Sequence, residues 1–293
     1  MLNALTQIWI ILWKDLLIDL RRKENILAMF FFALLTLLVF QFALGGGGQS
    51  RYRLTERAVR SLSDSGFAGE ALRSVRQLQG TTFSTRAAFL EAINRLEAWQ
   101  PSGNQRIQLL QAAKRTFLQE STPGLLWVMF LLAGVLGLGK SFSQEKENGC
   151  MDGLLLTPVS RGVIYLGKMI SNVFFLVVLL VMVVPAFALL FQLPLGGVLL
   201  PLALILLAGV LGFAALGTLL GGVTSTLRGK EVLLPLLLFP LMAPVLIVVV
   251  QLTGAVLDGE TLANHSKWVQ LLVSADAIFL IFSYLVVEFS MET

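Results

Sequence analysis

Apolar runs of 18 or more residues recur along this chain, and each is long enough to cross a hydrocarbon core of about 30 Å as a helix. No soluble core needs them. Only 14% of residues are charged, against roughly a quarter in an ordinary soluble domain. A membrane β-barrel would alternate apolar and polar residues with period two, and these runs do not. The chain therefore reads as an all-α polytopic membrane protein. Six spans are expected at 26–44, 123–140, 163–192, 199–222, 231–252 and 268–288.

Residues 1–25 precede the first span. Leu5, Trp9, Leu12, Leu16 and Leu20 recur near helical spacing, and Lys14, Asp15, Asp19, Arg21 and Arg22 fill the other positions. This pattern predicts an amphipathic helix in the headgroup layer. Four glycines at 45–48 end the first span. Residues 45–122 then differ in kind, because 49–122 hold eleven Lys and Arg against six acids. Phe89, Ile93 and Leu96 with Trp99, then Ile107, Leu110 and Phe117, suggest two amphipathic helices joined at 101–103. The stretch reads as a small helical module outside the membrane.

Pro123 suits the first turn of the second span. Ser160 is a candidate cap for the third. The third span is expected to bend near Pro185, and Pro235, Pro240 and Pro244 interrupt the fifth, which is not expected to be straight.

Between the second and third spans lies a polar island, residues 144–161, reading QEKENGCMDGLLLTPVSR. It must sit in water at a membrane face, within an extramembrane region spanning 141–162. A short helix from Lys146 to Leu156 is expected, stopped by Thr157 and Pro158. Glu145 and Glu147 favour its N-terminus through the macrodipole. Met151, Leu154 and Leu155 offer an apolar side to a partner's groove.

An even number of spans puts both termini on one side. On that side the short segments carry ten Lys and Arg: Lys14, Arg21, Arg22, Lys23, Lys140, Lys146, Arg161, Lys168, Arg228 and Lys230. The other side has only Lys267. The positive-inside rule then makes the termini and the island cytoplasmic, and long loops such as 45–122 escape the rule.

Candidate chemistry is sparse. Residues 134–141, GVLGLGKS, match the phosphate-loop pattern letter for letter, but they end a membrane span instead of joining a buried strand to a soluble helix. ATP hydrolysis by this chain is not expected. Cys150 is the single cysteine, which excludes an internal disulfide and a cysteine-cluster metal site. His265 is the single histidine, beside Asp258 and Glu260 in a turn. No metal site and no catalytic residue emerge. Asp276 stands eight residues past Trp268, hence about 12 Å into the sixth span at 1.5 Å per residue. An intramembrane acid must be paired, protonated or turned to a polar space. Gly217 and Gly221 have the spacing of close helix packing.

Several segments together resemble a known family. EKENG at 145–149 with LLLTPVSR at 154–161, then YLGK at 165–168, is similar to the segment after the second span of ABC-2 type exporter permeases. WKDLLIDLRRKE at 13–24, PGLLWV at 123–128, GKSF at 139–142, GFAALGT at 212–218 and RGKEVLLP at 228–235 narrow the resemblance to the CcmB family of cytochrome c maturation. The departure is residues 49–122, where that family has a short turn.

The resemblance implies an ABC-2 permease fold in the bacterial inner membrane. It implies a separate ATP-binding subunit that hydrolyses ATP, a CcmC-like heme-handling subunit, and heme as cargo; a second copy of the chain is a further candidate partner, since the Gly217 and Gly221 spacing also suits a dimer face. No nucleic acid is implied. It also implies that Glu145, Lys146, Glu147, Asn148, Gly149, Asp152, Leu155, Thr157, Pro158 and Arg161 receive the ATPase. Alternatives are a permease for a lipid, drug or glycan, and a membrane scaffold without a transport cycle.

Overall fold

A computed structural model describes residues 4–21, 23–45, 50–96, 99–147, 160–191, 193, 196–224, 227 and 230–289. Six helices among them are long and apolar enough to cross a membrane. They are α2 (Lys23–Gly45), α7 (Phe117–Glu147), α8 (Arg161–Phe191), α9 (Leu199–Thr224), α10 (Lys230–Leu257) and α11 (Ser266–Phe289). A 3₁₀ turn, Leu262–His265, leads into the last. Each helix extends past the expected span, since helix formation does not stop where hydrocarbon does. The second runs furthest, from Phe117 to Glu147, and so takes in the first residues of the island. Helix α10 is unbroken through Pro235, Pro240 and Pro244, and α8 through Pro185.

The second span is the centre of the bundle. Two thirds of its apolar window is buried (67%), against 11% for the sixth. Small residues let its neighbours close in on large ones. A Cβ on Gly209 of α9 would lie 2.2 Å from Trp127 Cη2, and one on Gly217 would lie 2.4 Å from Leu138 Cδ1. In the reverse direction Gly134 of α7 receives Phe213, and Gly137 receives Met29 of α2. Trp127, Phe130 and Phe213 then form an edge-to-face ladder, with centroids 5.6 and 5.4 Å apart. Such pairs add about 0.5–1.5 kcal/mol beyond burial. Gly217 thus serves packing within the chain.

Helix α1 (Ala4–Arg21) lies against the start of α8, where Gly167 meets Ile11. Ile11 and Asp15 are buried, and Lys14 pairs with Asp15 at 3.1 Å. Trp9 and Trp13 point away, exposed and stacked at 6.2 Å. The tryptophan-bearing stripe therefore faces outward, and the chain's own bundle takes the opposite face.

The stretch after the first span is a mixed α/β module, where helices alone were expected. Strand β1 (Ser50–Arg53) is central, flanked antiparallel by β2 (Thr82–Phe83) and β3 (Lys114–Thr116). The register pairs Tyr52 with Phe83 and with Lys114. β1 follows the first span and β3 directly precedes α7, so the sheet joins the ends of the first two spans. The module has four helices, α3 (Glu56–Asp64), α4 (Glu70–Gln77), α5 (Arg86–Asn94) and α6 (Gly103–Ala113): α5 and α6 pack on the sheet, and α3 packs on α6 and α4. Thr55 and Thr85 cap α3 and α5, and Ser102 with Gln105 forms a capping box on α6. Helices α5 and α6 are the two expected around 101–103. On α6, however, Leu109 and Ala113 are the buried pair, and Ile107 is exposed.

The module has its own core around Phe89, with Leu54, Val75, Ile93 and Leu109. Tyr52 stacks on Phe89 at 5.6 Å, and Phe83 meets its edge at 5.4 Å. It meets the bundle at Glu120 of α7, which pairs with Arg51 at 3.1 Å, and at the turn after α10. The Arg57 amide donates to the Asp258 carbonyl at 3.0 Å, and Arg53 pairs with the Asp258 carboxylate at 3.5 Å. Gly259, at φ 85°, brings that turn against Arg57, where an added Cβ would lie 3.1 Å from the Arg57 Cβ and the backbone conformation would be strained for any other residue.

Candidate functional site

The expected contact site for a partner lies at the bundle end opposite the module. Glu145, Lys146 and Glu147 form the last residues of α7, so here the polar stretch continues a membrane helix. Asn148, Gly149, Asp152, Leu155, Thr157 and Pro158 lie outside the described residues, as does most of the expected helix from Lys146 to Leu156. Arg161 opens α8 and is exposed. Ser160 supports that start through its backbone carbonyl, which accepts from the Val163 and Ile164 amides at 3.1 and 3.2 Å. The site's two described flanks are thus the ends of α7 and α8.

What those ends are attached to decides what a push on them does. α7 has 31 residues, about 46 Å at 1.5 Å per residue. It runs without interruption from the β3 strand of the module to Glu147. Side-chain bonds tie the surrounding spans together. Asn172 Nδ2 of α8 donates to Thr218 Oγ1 of α9 at 2.8 Å. The Tyr165 hydroxyl donates to the Ala215 carbonyl of α9 at 3.0 Å. Trp127 Nε1 of α7 donates to Thr253 Oγ1 of α10 at 3.0 Å. Bonds of this kind between membrane helices contribute about 0.6 kcal/mol each on average, a modest addition to the packing that joins these spans. Sequence reading passed over Asn172, Thr218 and Thr253. The signal was there, since each is a polar residue inside an apolar run.

Asp276 lies on α11 against Gly212 of α9, where a Cβ would come within 2.3 Å of its Oδ1. That oxygen is buried without a hydrogen-bond partner among the described residues. Gly212 therefore makes room for the carboxylate at the contact between fourth and sixth spans.

The phosphate-loop look-alike is helical throughout. Gly134 and Gly137 are packed on Phe213 and Met29, so their amides are committed to the helix. His265 contacts Glu260 through Nε2, at the end that bears the module. Among the described residues no group of His, Cys, Asp and Glu is arranged to hold a metal.

A family described as CcmB protein matches residues 112–292. The match takes in the second to sixth spans and the island. It leaves out residues 1–111, and with them both the 13–24 stretch and most of the module. Heme exporter protein B of Pseudomonas aeruginosa is 35% identical over 152 residues, covering 52% of this chain and 67% of that relative. Its namesake in Rhodobacter capsulatus is 35% identical over 124 residues, covering 42% and 56%. That of Paracoccus denitrificans is 34% identical over 130 residues, covering 44% and 59%. The alignments with the last two thus span under two thirds of those relatives. No solved structure gives a significant match.

Proposed function

The chain belongs to the CcmB family, and on that footing we propose that it is the membrane permease subunit of a heme-export complex for cytochrome c maturation, driven by an ATPase carried on another polypeptide. The observation that carries this reading is the family match over residues 112–292, which runs unbroken through the island and five of the six spans. The name heme exporter shared by the relatives supplies the cargo class.

In this reading the ATPase docks on residues 145–161, in the cytoplasm, and a CcmC-like subunit handles the heme. Both termini share the side of the island, and the module faces outward, as the ten-to-one distribution of Lys and Arg supports. ATP-driven closure of the partner moves the Glu147 end of α7 and the Arg161 end of α8 together. The α7 helix carries the motion to the module, and the bonds from Asn172 and Tyr165 carry it to the fourth span. Asp276, on the sixth span beside Gly212, responds to any shift of the fourth.

The test is co-purification. Glu145→Lys with Glu147→Lys is expected to lose the ATPase while the membrane protein remains at its usual level. Retention of the ATPase by the double variant contradicts the docking assignment.

A further inference from the structure

A cavity of about 860 Å³ lies between the module and the outer ends of the spans. Its roof comes from the module, with Arg53, Arg57 and Lys114. Its floor comes from span ends, with Phe191, Val250 and Trp268. Phe191 ends α8 and Trp268 lies in the first turn of α11, so the floor is made by span ends, the position where tryptophan is enriched in membrane proteins. The roof is largely absent from the family match, which starts at residue 112. The cavity is therefore a property of this chain's inserted module.

Its charges do not cancel. Arg51, Arg53, Arg57 and Lys114 face three lining acids. Each acid is already engaged: Glu120 by Arg51, Asp258 by Arg53, and Glu260 by His265. Lys114 is exposed to the space. Arg53 gives one nitrogen to Asp258, while its Nε is buried with no hydrogen-bond partner among the described residues. The Arg53 side chain as a whole is 37% exposed, and its guanidinium and the Lys114 ammonium are donors for which an anion is the strongest acceptor. Basic groups above an apolar, tryptophan-edged floor match one kind of ligand.

We infer that this cavity binds an anion-headed amphiphile, its carboxylate or phosphate held by Arg53 and Lys114 and its apolar body laid against Phe191 and Trp268. Two sources carry that chemistry, an acidic phospholipid of the surrounding leaflet and a porphyrin with its carboxylates. The site does not depend on ATPase docking, so it stands or falls apart from the function proposed above.

The experiment uses the full-length protein in detergent. Phosphatidylglycerol is titrated against phosphatidylcholine by native mass spectrometry. Metal-free protoporphyrin IX is titrated by fluorescence quenching in parallel. Wild type is expected to prefer phosphatidylglycerol over phosphatidylcholine, or to bind the porphyrin saturably, and the arm that responds identifies the source. Lys114→Gln is expected to weaken that binding about tenfold, the loss of one charge-assisted bond. Ala112→Trp keeps every charge and fills the space from the module side, and is expected to abolish binding. Arg95→Gln removes a cation of the module that pairs with Glu91, away from the cavity, and is expected to change nothing. Hydrogen exchange of residues 50–116 verifies that each variant keeps the module folded. Equal binding of both lipids with no porphyrin binding overturns the inference. So does unchanged binding in Ala112→Trp, or an equal loss in Arg95→Gln.

Discussion

Replacing Phe89 by alanine tests whether residues 50–116 form a folded unit or a loop held up by the bundle. Its side chain is fully buried. It stacks on Tyr52 from the central strand and takes the edge of Phe83 from the neighbouring one. Truncating such a phenylalanine costs about 3–5 kcal/mol. A 67-residue unit counted from Ser50 to Thr116 has a total stability of about 3–10 kcal/mol at the usual yield per residue. The single truncation therefore removes a third or more of what holds the module together. The spans have a separate core around Trp127 and Phe213 and should not feel it. Limited proteolysis and hydrogen exchange on the purified membrane protein read both regions at once. Phe89→Ala is expected to expose 50–116 to cleavage and fast exchange, while residues 120–139 stay protected. Val128→Ala, at an exposed position of the second span, is the control and should leave both protected. A module as protected in Phe89→Ala as in wild type refutes an independent core.

Gly209→Leu would drive a side chain into Trp127, whose indole is also held by Thr253; thermal unfolding in detergent should fall well below wild type. Gly124→Ala, with open space around the added methyl, should match or exceed wild type by up to about 1 kcal/mol. A double-mutant cycle of Asn172→Leu and Thr218→Val should give a coupling of about 0.5–1.5 kcal/mol, the range of interhelical bonds in membranes; additivity would show that the bond contributes nothing. Gly212→Ala crowds the Asp276 carboxylate and should lower cytochrome c maturation more than Asp276→Asn does, with equal losses arguing against Gly212 making room for that carboxylate.

The spans were legible because their signal is length, and a run of 18 apolar residues has few other uses. Their ends were less so. Glu145 and Glu147 read as the start of a separate helix, yet α7 carries through Glu147, because polar residues continue a helix outside hydrocarbon as readily as they begin one. The module was half legible. Phe89 and Ile93 marked α5, but α3 and α4 bury only three residues each, Ala58, Val59 and Leu62, and Ala71, Ser74 and Val75, scattered within arginine- and serine-rich sequence. β1 and β3 are four and three residues long, too short for alternation to register. Ile107 drew attention by its size, whereas burial on α6 follows Leu109 and Ala113. The cavity at the junction could not be read at all. Arg53 and Asp258 are some 200 residues apart and meet only because the sheet joins the first two spans.

In the proposed function, energy enters this chain at the island and not through a nucleotide site of its own. A photo-crosslinking residue at Leu155, and another at Ile107 on the module, would be placed in the assembled complex and irradiated with and without a trapped ATP analogue. A crosslink from position 155 to the ATP-binding subunit that changes in yield on trapping is expected, and none from position 107. No crosslink from 155 in either state, or capture of the ATPase from 107, would contradict it.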